Sequence, residues 1–112
     1  MKKLHYFAMF LIVFGLNISC SSDSDDDMPP AVVTTYTNTV KNIISGNCNS
    51  CHGNPTTNSA PMSLTTYDEV KNSVQTRNLI GLIENGSMPP NGNLTPSQIT
   101  AIKNWQSGGF IE

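Results

Sequence analysis

Apolar side chains recur at helical spacing in four places along the chain. Tyr36, Val40, Ile43 and Ile44 fall on one face of a helix predicted from about Tyr36 to Ser45, with Gly46 and Asn47 expected to stop it. Thr66-x-x-Glu69 is a capping box that opens a second helix, whose apolar stripe is Tyr67, Val70 and Val74. A third, short helix is expected from Asn78 to Glu84, with Leu79, Leu82 and Ile83 inward and Asn85-Gly86 as its end. The last helix is the best marked. Thr95 caps it, Pro96 takes its first position, Gln98 closes the capping box, and Leu94 can staple onto Ile99. Its inner stripe is Ile99, Ala101, Ile102 and Trp105, and Gly108-Gly109 stops it. The pattern predicts an all-α fold of three to four short helices.

The N-terminal stretch follows a different pattern. Lys2 and Lys3 precede an apolar run from about Tyr6 to Leu16, and Asn17-Ile18-Ser19-Cys20 follows, which describes a secretory signal over residues 1–19. The run is short for a bilayer span, so an uncleaved anchor is the weaker reading. Cys20 resembles the lipidated cysteine of bacterial lipoproteins, with Ser19 before the cut and a polar tether after it. Ser21 to Asp27 is acidic and serine-rich and leads into Met28-Pro29-Pro30. Such a run has no surface to bury and reads as a disordered spacer over residues 20–30. It also resembles the export signal by which some bacterial lipoproteins reach the outer face of the outer membrane. The folded domain is then residues 31–112.

Charge narrows the possible partners. Of eight acidic residues four lie in the tether, leaving Asp68, Glu69, Glu84 and Glu112 against Lys41, Lys71, Arg77 and Lys103, a net charge of zero for the domain. No basic cluster exists to neutralise phosphates, so nucleic acid is excluded as a partner. The balance gives no indication of strong steering of a charged partner. A domain this small buries a modest core, and a covalently held apolar group would supply much of the missing interior.

Cys48-Asn49-Ser50-Cys51-His52 organises the rest. Two thiols at this spacing can each add across a vinyl group of one haem, and the histidine that follows can reach the iron, so the motif reads as a c-type haem attachment site. Zinc is a rival, but no second Cys or His pair follows and His52 is the only histidine after the leader. A thioredoxin-like dithiol is another, without the alternating strand and helix patterns it needs. A Cys48–Cys51 disulfide would close a loop too small to stabilise much. The loop from Gly53 to Pro61 is rich in Gly, Asn, Thr and Pro, and a backbone carbonyl of Pro61 or a neighbour is expected to fix the His52 ring. Met62 and Leu64 are expected to pack against the haem face.

Gly86-Ser87-Met88-Pro89-Pro90-Asn91-Gly92 has neither helical nor strand period. Prolines fix the backbone so that a flexible thioether is presented at one place, which makes Met88 the expected sixth ligand. Met62 is the competitor, but it lies ten residues after His52 on the segment leaving the proximal face. Trp105 is expected to be core, in a setting where core and haem pocket can coincide.

From about Tyr36 to Phe110 the order of elements carries a likeness. A helix, Cys-x-x-Cys-His-Gly, a loop, two helices, Met-Pro-Pro and Leu-Thr-x-x-Gln-Ile-x-x-Ile-x-x-Trp together resemble a small single-haem cytochrome c domain of the class I type. The resemblance implies a cytochrome c-like fold around one covalent haem c, thioethers at Cys48 and Cys51, axial His52 and Met88, and first and last helices crossing beside the haem. With both axial positions filled, the expected function is electron transfer to redox partners of the cell envelope, from a protein exported and lipid-anchored through Cys20 in the outer membrane, on its periplasmic or cell-surface side. No general base, nucleophile or substrate pocket stands out, so no enzymatic activity is expected. Two alternatives stay open: a haem-based binder of small ligands with a labile or open sixth position, and a non-haem envelope lipoprotein that interacts with other proteins.

Overall fold

The computed structural model describes residues 32–112; the signal over 1–19, Cys20 and the tether lie outside the described residues. Among the described residues the regular elements are all helical. A wide turn, Tyr36–Val40, leads into α1, Lys41–Asn47; α2 is Tyr67–Thr76, α3 Leu79–Glu84 and α4 Pro96–Ser107. None of these helices is long and apolar enough to cross a membrane.

The first helix begins one turn wider than an α-helix. The Thr35 carbonyl accepts from the N–H groups of both Thr39 and Val40 at 3.3 Å, so bonding is split between four- and five-residue spacing. Thr35 and Asn38 form a reciprocal capping box there, a start signal that lies one residue before the predicted helix. At the other end the expected stop is displaced. Gly46 lies inside the last turn of α1, because the Asn47 side chain donates to the Ile43 carbonyl at 2.7 Å and Cys48 N–H to Ile44 at 2.8 Å. These bonds satisfy the carbonyls that a helix end leaves open, so α1 runs directly into Cys48.

The later helices follow their caps. Thr66 with Glu69 and Thr95 with Gln98 both bond reciprocally, and Pro96 opens α4. Asn78 stands outside α3 in a left-handed conformation, φ 52°, so α3 starts one residue later than its sequence pattern suggests. Leu79 and Ile83 are buried as expected, whereas Leu82 is half-buried and Ile80 takes its place against the core. Gly109, at φ 86°, turns the chain out of α4.

Helix α4 packs against the opening turn and against α3, and α2 packs on α3. The fully buried Trp105 sits at the centre of three other aromatic rings. Tyr36, Tyr67 and Phe110 stand 5.8, 6.0 and 4.9 Å from it, centroid to centroid. Hydrogen bonds tie the C-terminal tail into this cluster. The Ile111 carbonyl accepts from Trp105 Nε1 at 2.7 Å and Tyr36 N–H at 2.8 Å, and the Phe110 carbonyl from the Tyr67 hydroxyl at 2.6 Å. Both ends of the domain are thereby fastened on one side.

Candidate functional site

The Cys48–His52 segment is a compact turn built onto the end of α1. The N–H groups of Cys51 and His52 both donate to the Cys48 carbonyl, at 3.1 and 2.8 Å. Glycine must follow, since a Cβ at position 53 would stand 2.9 Å from the Asn49 carbonyl oxygen. That oxygen is backbone and cannot swing away. Gly53→Ala is expected to destabilise the domain by about 1–3 kcal/mol. The measurement is the urea midpoint of the purified protein, which should fall; an unchanged midpoint would mean that the turn relaxes freely.

His52 is buried, and its Nδ1 lies 2.8 Å from the Met62 carbonyl. A carbonyl only accepts, so Nδ1 is the donor, and Nε2 is the ring nitrogen left for another partner. The backbone carbonyl of His52 accepts from Leu64 N–H at 2.8 Å. Two bonds thus hold the residue against the far end of the loop that follows it. The ring's acceptor is Met62, the neighbour of Pro61 and the first residue past the Gly53–Pro61 loop.

The strap that holds His52 is itself anchored by α2. One carboxylate oxygen of Glu69, Oε2, accepts from the N–H groups of Thr65 and Thr66 at 2.8 and 2.9 Å and from the hydroxyls of Ser63 and Thr65 at 3.1 Å. Ser63 lies between Met62 and Leu64, the two residues bonded to His52. Partial burial pushes the Glu69 carboxyl up, but these hydrogen bonds outweigh it and hold the group below its ordinary value. A carboxyl depressed in the folded state stabilises at pH values above its unfolded value of about 4.3 and loses that contribution as pH falls through the folded value. Glu69→Gln is therefore expected to cost about 1 kcal/mol near neutral pH, an amount already reduced for solvent screening. The gap between the two proteins, read from urea titrations, should close in strong acid; a gap that persists there would refute the assignment.

Around His52 opens a cleft of about 380 Å³, within the roughly 300–1,000 Å³ range of small-molecule and cofactor sites. Its floor is apolar, made by Leu64, Leu79 and Ile83, all buried. Cys48 and Cys51 line it as free, half-buried thiols. Burial pushes the Cys48 thiol up to about 11, so it stays protonated at neutral pH, a poor starting point for thiol–disulfide exchange. Cys51 Sγ instead accepts from Asn58 Nδ2 at 3.3 Å. Met88 completes the lining with Pro89. It is held there by its N–H, which donates to the Leu82 carbonyl at 2.9 Å, and by Ser87 N–H, which donates to Asn85 Oδ1 at 2.9 Å.

One cleft therefore gathers Cys48, Cys51, His52, Pro61, Leu64 and Met88. Trp105 is not part of it. The bond from its indole to Ile111 and the rings around it fix Trp105 in the aromatic cluster, so it is core and not cleft wall. Met62 also departs from expectation: its carbonyl serves His52, and the residue, partly buried against the core, borders a separate groove with Asp68, Glu69 and Arg77 and not the cleft. Glu69 and Asn58 were missed as site residues. The capping box revealed Glu69 only as a helix start, and nothing in the sequence marked Asn58. Among the described residues no three His, Cys, Asp or Glu side chains converge as a four-coordinate zinc site would draw on. No family model, curated protein or solved structure matches the chain.

Proposed function

We propose that residues 31–112 form a small single-haem cytochrome c domain of the class I type and that its function is electron transfer. The observation that carries this reading is the company His52 keeps. His52, whose Nδ1 is taken by the Met62 carbonyl, two free thiols and Met88 belong to one cleft with an apolar floor. The donor set fits a haem that Cys48 and Cys51 would hold through thioethers and that His52 and Met88 would ligate. When bound, such a group supplies reversible one-electron storage at its iron.

The chain's own residues set the conditions for that storage. The Met62 carbonyl orients the imidazole through Nδ1, Leu64 holds the His52 backbone, and Glu69 holds the segment that carries both. Leu64, Leu79 and Ile83 give the cleft a low local dielectric, which would penalise extra positive charge on a bound group. The soft thioether of Met88 would favour the ferrous form and so raise the potential. With His52 and Met88 both given to the group, no position would be left for a substrate, as a carrier requires. The wider reading places the domain on a lipid anchor at Cys20 in the outer membrane, exchanging electrons with redox proteins of the envelope.

The test is the intact mass of the protein produced in cells that mature c-type cytochromes. The reading requires a chain heavier by one haem after denaturation; a chain of polypeptide mass alone would overturn it.

A further inference from the structure

The two thiols of the cleft are held in different ways. Cys48 ends α1 and packs against the hydrophobic core, whereas Cys51 is not among the residues packed there. Cys51 is held instead by the loop that follows His52. Thr57 N–H donates to the Cys51 carbonyl at 2.9 Å, the Thr57 hydroxyl to the Ser50 carbonyl at 2.8 Å, and Asn58 Nδ2 to Cys51 Sγ at 3.3 Å. Ala60 N–H returns to the Thr57 carbonyl at 3.0 Å and closes a turn in which Asn58 and Ser59 are both left-handed, at φ 50° and 58°. Two such residues in succession are uncommon outside glycine, and they persist where the surroundings fix them. Here the turn sets the Asn58 amide on the sulfur. The Ser50 hydroxyl stands farther from it, at 4.0 Å.

We propose that Asn58 is a positioning residue for haem attachment, holding Cys51 Sγ in one place for its bond to a vinyl carbon. The proposal rests on the haem reading of the cleft. In this step Cys51 Sγ forms a bond to one vinyl carbon, its S–H bond breaks, and the proton ends on the other vinyl carbon. The addition is balanced and needs no oxidant or reductant. An amide that has already fixed the sulfur spares the step the cost of ordering that side chain. Cys48, packed against the core at the end of α1, is placed without such a partner. The competing explanation is that asparagine stands at position 58 only because it tolerates a left-handed turn. Glycine tolerates that turn at least as well and carries no amide side chain, so the two explanations separate on substitution.

The test follows each thiol of the full-length chain in haem-starved cells able to mature c-type cytochromes, sampled after a haem precursor is supplied. Chains are denatured, alkylated with iodoacetamide and digested, and mass spectrometry reads the free fraction of Cys48 and of Cys51. The ratio of the two blocking rates does not depend on haem supply. Asn58→Gly keeps the turn without the amide, and Asn58→Asp keeps the shape but puts an acceptor where the donor was. Both should slow the blocking of Cys51 about two- to tenfold relative to Cys48, the factor that one lost hydrogen bond corresponds to. The urea midpoint of Asn58→Gly should stay at the native value. An unchanged ratio in both variants would overturn the proposal. Equal slowing of both thiols, with a lowered midpoint, would make Asn58 a residue of the fold alone and would overturn it as well. If neither thiol of the native chain became blocked, the underlying haem reading would fall, and the proposal with it.

Discussion

The variant Cys48→Ser with Cys51→Ser, produced in cells able to mature c-type cytochromes, is expected to lose covalent haem completely. Haem staining on a denaturing gel checks it: the native chain should stain and the variant should not. The loss is total because a hydroxyl does not replace a thiol in addition to a vinyl group, and among the described residues Cys48 and Cys51 are the only free thiols. The fold should suffer as well. The cleft of about 380 Å³ is floored by Leu64, Leu79 and Ile83, and without its occupant this apolar surface meets water. The variant should therefore melt at lower temperature than the loaded native protein, as expected when a group that binds only the folded state is removed. Covalent haem retained by the double variant would move the attachment away from these residues.

The second large effect is expected for Met88→Ala. Removing the thioether opens the sixth position, so the ferrous protein should become high-spin and bind carbon monoxide, which the native protein should bind poorly. Its midpoint potential should fall by on the order of 0.1–0.3 V, a fraction of the roughly 0.8 V that axial ligation spans. The domain itself should remain folded, since Met88 is half-buried and lies outside the core cluster of Trp105, Ile44 and Ile102. Spectroelectrochemical titration with and without carbon monoxide is the measurement. An unchanged spectrum and potential would remove Met88 from the iron.

The parts of the domain legible in the sequence are those governed by neighbours a few residues apart. Helix starts at Thr66 and Thr95 could be read because a capping box is written within four residues, and the buried stripes because 3.6-residue periodicity is local. The Cys48–His52 motif is local for the same reason. The end of α1 was misplaced because the side chain of Asn47 outweighed the usual meaning of Gly46, a contest that composition does not settle. The start of α3 turned on one left-handed residue, Asn78.

Contacts across long separations were the hardest to read. Met88 could be assigned to the site from its proline turn, and it does line the cleft with His52 thirty-six residues earlier. Trp105 could not be assigned in the same way. Its spacing on α4 said only that it faces inward, and the bond to Ile111 that commits it to the aromatic cluster forms after the chain has turned back on itself. The role of Glu69 was hidden behind a correct reading, since the same carboxylate that closes the capping box also holds Ser63 and Thr65 and, through them, the strap on His52.

The central claim is a haem held by His52 and Met88 in an electron carrier, and the visible absorption spectrum of the purified protein, ferric and dithionite-reduced, tests it most directly. The account predicts a low-spin ferrous spectrum and, in the ferric form, a weak sulfur-to-iron charge-transfer band that disappears in Met88→Ala. A covalent haem with a high-spin spectrum would contradict it in favour of a ligand binder, and the absence of haem would contradict it altogether.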